Sequence, residues 1–267
     1  MIAADSNGFH VARDRTTWTF TINRAERRNA LIWPVRHAIL DTIKAAEVDP
    51  DCRALILTGA GDKAFCAGSD IAVAIDAAAE GQSAADWLQT MRWVTEIQRA
   101  LVTSRIVTIS AVNGTAFGGG CFLALAADIV VAHRSASFGF GFVRRGLVPD
   151  WGGFYMLPRL VGLAQAKSLI LRGRTIGADE AVRIGLIAET VDTDVVEAAR
   201  VIAAEIVDGA PLGVSLSKQV LARAFETGLE GNLLLESLAQ TIAGQSQDHA
   251  EGFSAFLEKR PPVFRGQ

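Results

Sequence analysis

Three consecutive glycines are the feature of this chain best suited to chemistry. Gly118, Gly119 and Gly120 lie between a β-branched strand and an apolar helix, within VTISAVNGTAFGGGCFLALAAD (residues 107–128). Glycines let a ligand come close to bare backbone. The first turn of the following helix presents unpaired N–H groups and a partial positive charge. This geometry suits an anion, including a transient one.

Other kinds of reactive site find little support. The four histidines are scattered without metal-ligand spacing, so no metal site is predicted. There is no G-x-S-x-G elbow and no Walker loop. The segment FGFGFVRR fails the dinucleotide-binding pattern because Arg144 stands where the third glycine belongs.

Composition restricts the partners and the compartment. The net charge of −3 offers no basic field for nucleic acid or an anionic membrane, and no apolar run is long and charge-free enough to span a bilayer. Three cysteines without a C-x-x-C pair indicate reduced, mostly buried thiols. Without a recognisable signal peptide at the N-terminus, we expect a cytoplasmic protein.

Periodicity predicts an α/β protein. The strands are predicted at 9–13, 16–22, 53–58, 106–112, 129–133, 137–140 and 186–191. The helices are predicted at 30–48, 84–103, 120–127, 151–160, 163–171, 178–185, 211–227, 231–244 and 248–258. From residue 194 onward the pattern is all helical, so we predict a core of residues 1–195 and a helical module of residues 196–267.

Several ordered motifs resemble the crotonase superfamily, also called the enoyl-CoA hydratase/isomerase family. They include NRAERRNAL (23–31), LILTGAGDKAFCAGSDI (55–71), AVNGTAFGGGC (111–121), GLVPDWGG (146–153), LPRLVG (157–162), ADEAVRIGLI (178–187) and FLEKRPPVF (256–264). The resemblance runs through nearly the whole chain. It implies a crotonase-like spiral of ββα units, with a helical C-terminal trimerisation module that forms a homotrimer or a dimer of trimers.

The resemblance also implies an acyl-CoA thioester substrate and an oxyanion hole made of two backbone N–H groups. By their match to the family motif, these belong to Ser69 and Gly119. No separate cofactor is implied, because coenzyme A is part of the substrate. Losing one such donor typically costs about 2.7–4 kcal/mol in the transition state.

Cations near the pocket mouth would bind the phosphates of CoA. The resemblance points to Arg27 and Arg28 in the loop before the first long helix and to Lys259 near the C-terminus, which in relatives sometimes reaches across a subunit interface. For each of them a solvated surface charge is the alternative. The loop 67–71 resembles the adenine-binding strip, and the predicted substrate-binding set here comprises Ala30, Ala67, Asp70 and Ile71.

The catalytic carboxylates depart from the hydratase pattern. Phe122 and Phe142 stand at the two positions where hydratases of the family carry glutamates, and phenyl rings cannot activate water. Asp150 matches the single acid/base of several enoyl-CoA isomerases, and Phe122, Phe142 and Trp151 would give it an apolar, substrate-lining environment. Desolvation there would raise the pKa of Asp150. The alternative role for Asp150 is a turn or helix N-cap.

The leading interpretation is therefore double-bond isomerisation of an enoyl-CoA with a cyclic or aromatic acyl group, in fatty acid metabolism or aromatic degradation. A hydratase that uses other acids remains open, with Asp76 and Glu80 as candidates. A dehalogenase or hydrolase that uses Asp150, and a silent acyl-CoA-binding protein, also remain open.

Overall fold

The computed structural model describes residues 7–70, 81 and 83–267 of the 267-residue chain. It has two sheets surrounded by helices, as the α/β prediction requires. In these described parts, none of the helices is long and apolar enough to cross a bilayer.

The larger sheet has six strands and forms the centre of the fold. The first pair is antiparallel, as in the predicted hairpin, and every later neighbour is parallel. In spatial order the strands are β1 (Phe9–Asp14), β2 (Thr17–Ile22), β3 (Ala54–Gly59), β5 (Val107–Val112), β7 (Ile129–His133) and β10 (Glu189–Val191).

The smaller sheet follows the ends of these strands. Its order is β4 (Ala64–Cys66), β6 (Thr115–Phe117), β8 (Ser137–Gly139) and β9 (Thr175–Gly177), with only the last pair antiparallel. The strands of the two sheets alternate along the chain. Each large-sheet strand β3, β5 and β7 is thus followed by a short strand of the small sheet, which repeats the strand–strand unit.

Nine helices complete the described part of the chain. They are α1 (Trp33–Val48), α2 (Ala84–Thr103), α3 (Gly119–Leu125), α4 (Gly153–Leu171), α5 (Ala178–Arg183), α6 (Val195–Val207), α7 (Pro211–Leu221), α8 (Leu229–Gly244) and α9 (Gln247–Glu258). α2 begins with a capping box in which Ser83 and Asp86 satisfy each other's free amides.

Both faces of the larger sheet are buried. On β3, Ala54 and Ile56 belong to one apolar cluster while Leu55 and Leu57 belong to the other, as the two-residue period of a strand requires. The smaller cluster is closed by α6, whose residues Val195, Ala199 and Ala203 recur every four positions. The predicted boundary at residue 195 therefore falls at a helix that packs on the core sheet, and the two-part division stays a prediction.

Some predicted boundaries were wrong. α1 begins at Trp33 instead of residue 30, because Leu31 pairs in parallel with Ser69 and Ile32 is extended. The two helices predicted at 151–160 and 163–171 follow each other within α4, where the non-helical Gly162, with φ of 74°, separates them as predicted. Only the start of the first one differs, because it begins at Gly153. α7 ends at Leu221, six residues earlier than predicted.

Candidate functional site

The loop after β4 lies directly against the start of α3. A β-carbon on Gly68 would lie 3.3 Å from the amide nitrogen of Gly119 and 2.9 Å from the carbonyl oxygen of Phe117. Gly68 also has φ of 88°, which side-chain-bearing residues rarely adopt. Because residue 68 is a glycine, the backbone next to Ser69 can lie directly against the start of α3.

The amides of Ser69 and Gly119 have no hydrogen-bond acceptor among the described residues. The parallel bridge to Leu31 uses the carbonyl of Gly68 and the amide of Asp70, which leaves the Ser69 amide unused. Gly119 is the first residue of α3 and so has no acceptor within its helix. Two N–H groups on adjoining backbone segments are therefore available to a ligand.

A strained turn holds Asp150 and Trp151 beside this helix start. Trp151 has φ of 50°, a left-handed conformation that costs a bulky residue about 1–2 kcal/mol. Its carbonyl accepts a hydrogen bond from Gln98 on α2, and its indole Nε1 would lie 2.7 Å from a β-carbon on Gly119. The space that a side chain at residue 119 would need is thus filled by the Trp151 indole.

The carboxyl of Asp150 is partly buried and has a raised pKa. Burial raises the pKa of Asp150 to about 6, against a smaller opposing effect of its own backbone amide and of the charge of Arg36. Its Oδ1 is inaccessible to water and has no hydrogen-bond partner. Of the alternative roles, the helix cap is wrong, because α4 starts at Gly153, is capped by Gly152 and receives no side-chain cap. The turn is present, since the amide of Gly153 donates to the carbonyl of Asp150 at 2.9 Å.

Both phenylalanines lie close to these groups. Phe122 is fully buried on α3, and its ring would be 2.6 Å from a β-carbon on Gly153. Phe142 is 8% exposed, and its ring lies 5.9 Å from that of Phe122, centroid to centroid. The predicted apolar environment of Asp150 therefore agrees with the direction of its pKa shift.

Arg36 is a residue of this site that the sequence analysis missed. It lies on the buried face of α1, and its Nη2 donates a 2.8 Å hydrogen bond to Ser69 Oγ. A signal existed, because an arginine among Val35, Ile39, Leu40 and Ile43 is a charge at an apolar position of the helix. Gln98, on the buried face of α2, carries the same signal.

Most of the residues predicted to bind CoA lie on two segments that contact each other. Arg27 and Arg28 are exposed, and the Arg28 carbonyl accepts from the amide of Ala67. Asp70 pairs with Arg24 at 3.0 Å, and that arginine also donates to the carbonyl of Ala30. These contacts bring the two predicted segments together, while Ile71 lies outside the described residues.

Lys259 is exposed and ends α9 in a left-handed conformation. The chain beyond it returns to the start of β3, where Arg53 donates to the carbonyl of Phe264. No hydrogen bond or ion pair among the described residues joins Lys259 to Asp150 within one chain. The predicted role of Lys259 across a subunit interface stays a prediction.

Metal binding finds no support in the described residues, which contain no group of three or more His, Cys, Asp or Glu side chains able to hold an ion. All three cysteines are buried and free, as predicted. Asp128 has a structural role, because it accepts hydrogen bonds from the backbone and side chain of Thr108 and pairs with Lys218 at 2.7 Å.

Known proteins share this fold and sequence along almost the whole chain. The enoyl-CoA hydratase/isomerase family pattern matches residues 13–267. A protein of Rhodobacter capsulatus described as a "probable enoyl-CoA hydratase" is 40% identical over 92% of this chain and 93% of its own. The 1,2-epoxyphenylacetyl-CoA isomerase of Escherichia coli is 37% identical, over 95% and 97% respectively.

A solved structure gives the same answer for the fold. The crystal structure of an enoyl-CoA hydratase from Bacillus anthracis superimposes with a TM-score of 0.91 at 31% identity, covering 97% of this chain and 100% of that one. The fold is therefore the crotonase fold. The chain belongs to the enoyl-CoA hydratase/isomerase family, and it is an enzyme of that family.

Proposed function

We propose that the protein isomerises the double bond of an enoyl-CoA, with Asp150 as acid and base. The amides of Ser69 and Gly119 would hold the enolate oxygen of the thioester. The observation that carries this proposal is the Asp150 carboxyl itself, which is largely desolvated, unpartnered at Oδ1 and has a pKa raised to about 6. Such a group is mostly ionised at neutral pH and is a stronger base than an exposed aspartate.

The proposed reaction needs one proton and one carboxylate. Asp150 removes a proton from C2 of a β,γ-unsaturated thioester, and the electrons move into a dienolate whose negative charge lies on the thioester oxygen. The two free amides donate to that oxygen. The same carboxyl, now protonated, returns the proton at C4 and leaves the double bond between C2 and C3.

The surroundings of Asp150 support isomerisation over hydration. Hydration requires a water that is held and deprotonated. Phe122 and Phe142 present apolar rings instead of carboxylates near Asp150, and Trp151 and Gln98 add no acid. Several relatives are nonetheless named hydratases, so a hydratase that uses other acids is the second candidate; Asp76 and Glu80 lie outside the described residues.

The acyl group is proposed to be cyclic or aromatic. Phe122, Phe142 and Trp151 would offer flat apolar surfaces against which a ring of the acyl group could pack. The Escherichia coli relative, whose name specifies a phenylacetyl-CoA epoxide, supports the same class of acyl group. Arg27, Arg28, Ala30, Ala67 and Asp70 are proposed to receive the CoA part.

Assays with a panel of enoyl-CoA thioesters test the reaction. Mass spectrometry and chromatography would separate a shifted double bond from an added water. We expect Asp150→Asn to abolish double-bond migration while binding of the CoA ester, measured by calorimetry, persists. Full turnover in that variant would remove Asp150 from the mechanism, and an acyl ester trapped on Asp150 would favour covalent chemistry. Binding without turnover across the panel would indicate a silent binding protein.

A homotrimer, or a dimer of trimers, is proposed as the assembly. α8 has no buried residue within one chain although it is rich in leucine. Exposed apolar side chains that lie together on one helix indicate an interface with another chain. On α8 they include Leu229, Leu233, Leu234, Leu238 and Ile242. Light scattering of the purified protein would give the mass, and a monomer at micromolar concentration would contradict this proposal.

A further inference from the structure

Arg36 is a charged group kept inside the protein next to the proposed oxyanion loop. It is 8% exposed, and its guanidinium lies 5.1 Å from the ring centroid of Trp33. Its Nη2 donates to Ser69 Oγ at 2.8 Å, and its Nε is inaccessible to water without a hydrogen-bond partner. A buried cation with unused donors costs stability, so packing alone does not explain its presence.

No carboxylate of the described residues lies within 4 Å of this guanidinium to form an ion pair. Asp70, next to Ser69 in sequence, pairs with Arg24 instead. The groups whose charge acts on Arg36 are Asp150 and Cys66. Burial raises the pKa of Cys66 to about 12, so this thiol stays neutral and Asp150 is the counter-charge.

The other described elements around Asp150 contribute no charged group that acts on its carboxyl. α2 supplies the neutral Gln98, and α3 supplies Phe122. Arg36 on α1 is the charged group of the described residues that acts on the Asp150 carboxyl. One guanidinium thus contacts the loop that carries one free amide and also acts on the carboxyl proposed as base.

We propose that Arg36 is a positioning residue that fixes the Ser69 loop by its hydrogen bond and keeps Asp150 in the carboxylate form. This inference rests on the proposed function, because it takes Asp150 as the base. During proton removal, the negative charge moves from Asp150 to the thioester oxygen held by the Ser69 amide. Arg36 stays positively charged throughout. Its guanidinium interacts with the Asp150 carboxylate before the transfer and with the negative thioester oxygen after it, so the cation has a negative partner at each stage.

Two kinds of variant separate the charge from the hydrogen bond. Arg36→Gln removes the charge but keeps an N–H donor for Ser69, and Arg36→Met removes both. Ser69→Ala removes the hydrogen bond and keeps the charge. The measurement is the pH dependence of kcat/KM for isomerisation, whose acid limb reports the pKa of the base in the free enzyme.

We expect the acid limb of Arg36→Gln and Arg36→Met to move to higher pH by about one unit. At pH 6 the ionised fraction of Asp150 would then fall from about one half to about one tenth, which is roughly a fivefold loss that disappears at high pH. Ser69→Ala should lower kcat at every pH without moving the acid limb. Arg36→Lys, which keeps the charge, should retain the limb of the unmodified protein.

The acid limb of a folded, neutral variant decides the proposal. Circular dichroism and a thermal midpoint identify which of Arg36→Gln and Arg36→Met folds, and either one suffices. An acid limb that coincides with that of the unmodified protein would overturn the role of Arg36. The proposed function fails separately, if Asp150→Asn retains full isomerase turnover.

Discussion

Asp150→Asn should make the protein more stable at alkaline pH while removing its activity. The folded protein holds this carboxyl with a pKa of about 6, raised from 3.8 by burial. Between about pH 4 and pH 6, the unfolded chain has lost the proton while the folded protein keeps it. The stability of the unmodified protein therefore falls as pH rises through this window.

The size of the effect follows from the shift. A change of about two pKa units, at about 1.36 kcal/mol per unit, gives at most about 3 kcal/mol of lost stability above pH 6. Asparagine has nearly the same shape and carries no charge, so Asp150→Asn removes this loss. Its own amide finds no partner at the position of Oδ1, which reduces the gain. We expect a net gain of about 1–2 kcal/mol at pH 8 and none below pH 4.

Urea unfolding followed by circular dichroism at pH 8 and pH 4 measures this difference. Asp41→Asn, at an exposed carboxyl of α1, is the matched control for exchanging a carboxyl for an amide at the surface. If Asp150→Asn were destabilised equally at both pH values, Asp150 would not be desolvated in the folded protein. The electrostatic argument for its role as a base would then be lost.

Further substitutions probe how the site and the core are held. Gly119→Ala should lower kcat by about 10²–10³, as loss of an oxyanion donor does. The reason is that the new β-carbon would meet the indole of Trp151 at 2.7 Å and displace the start of the helix. Assays at saturating substrate measure kcat, and an unchanged value would contradict this prediction. Gln98→Leu should lower both kcat/KM and the thermal midpoint, because it removes the hydrogen bond to the carbonyl of the strained Trp151. If the midpoint and the rate were unaltered, this hydrogen bond would not be needed to hold the turn. Lys218→Met should destabilise the fold by about 2 kcal/mol in urea unfolding, because it leaves the buried carbonyls of Leu101 and Ile106 without the donor that Lys218 Nζ provides. A change within experimental error would contradict this.

Local patterns were enough to predict most elements of the fold. α2 runs over the predicted residues 84–103 because its apolar stripe and its cap agree. The start of α1 was predicted too early, since nothing in the local sequence reports that Leu31 pairs with Ser69, 38 residues further on. Such a pairing is a property of the tertiary structure, and helix periodicity does not contain it.

In the candidate site too, residues in local motifs were predicted, and a residue held by a distant contact was missed. The glycines and Asp150 stand in recognisable motifs, and the apolar neighbours of Asp150 were sufficient to predict the direction of its pKa shift. Arg36 was missed because its partner Ser69 is distant in sequence, although its position on the apolar face of α1 was visible. A charge at a buried helix position is therefore a signal worth following even without a motif.

Transfer of an isotope from C2 to C4 tests the central claim, that one carboxyl performs both proton transfers, most directly. A β,γ-enoyl-CoA with deuterium at C2 would be converted in water that carries an oxygen label but no deuterium, and the product would be examined by NMR and mass spectrometry. Because Oδ1 of Asp150 is shielded from water, we predict that part of the deuterium appears at C4. A product that has lost the label at C2, carries none at C4 and holds oxygen from labelled water at C3 would contradict the mechanism.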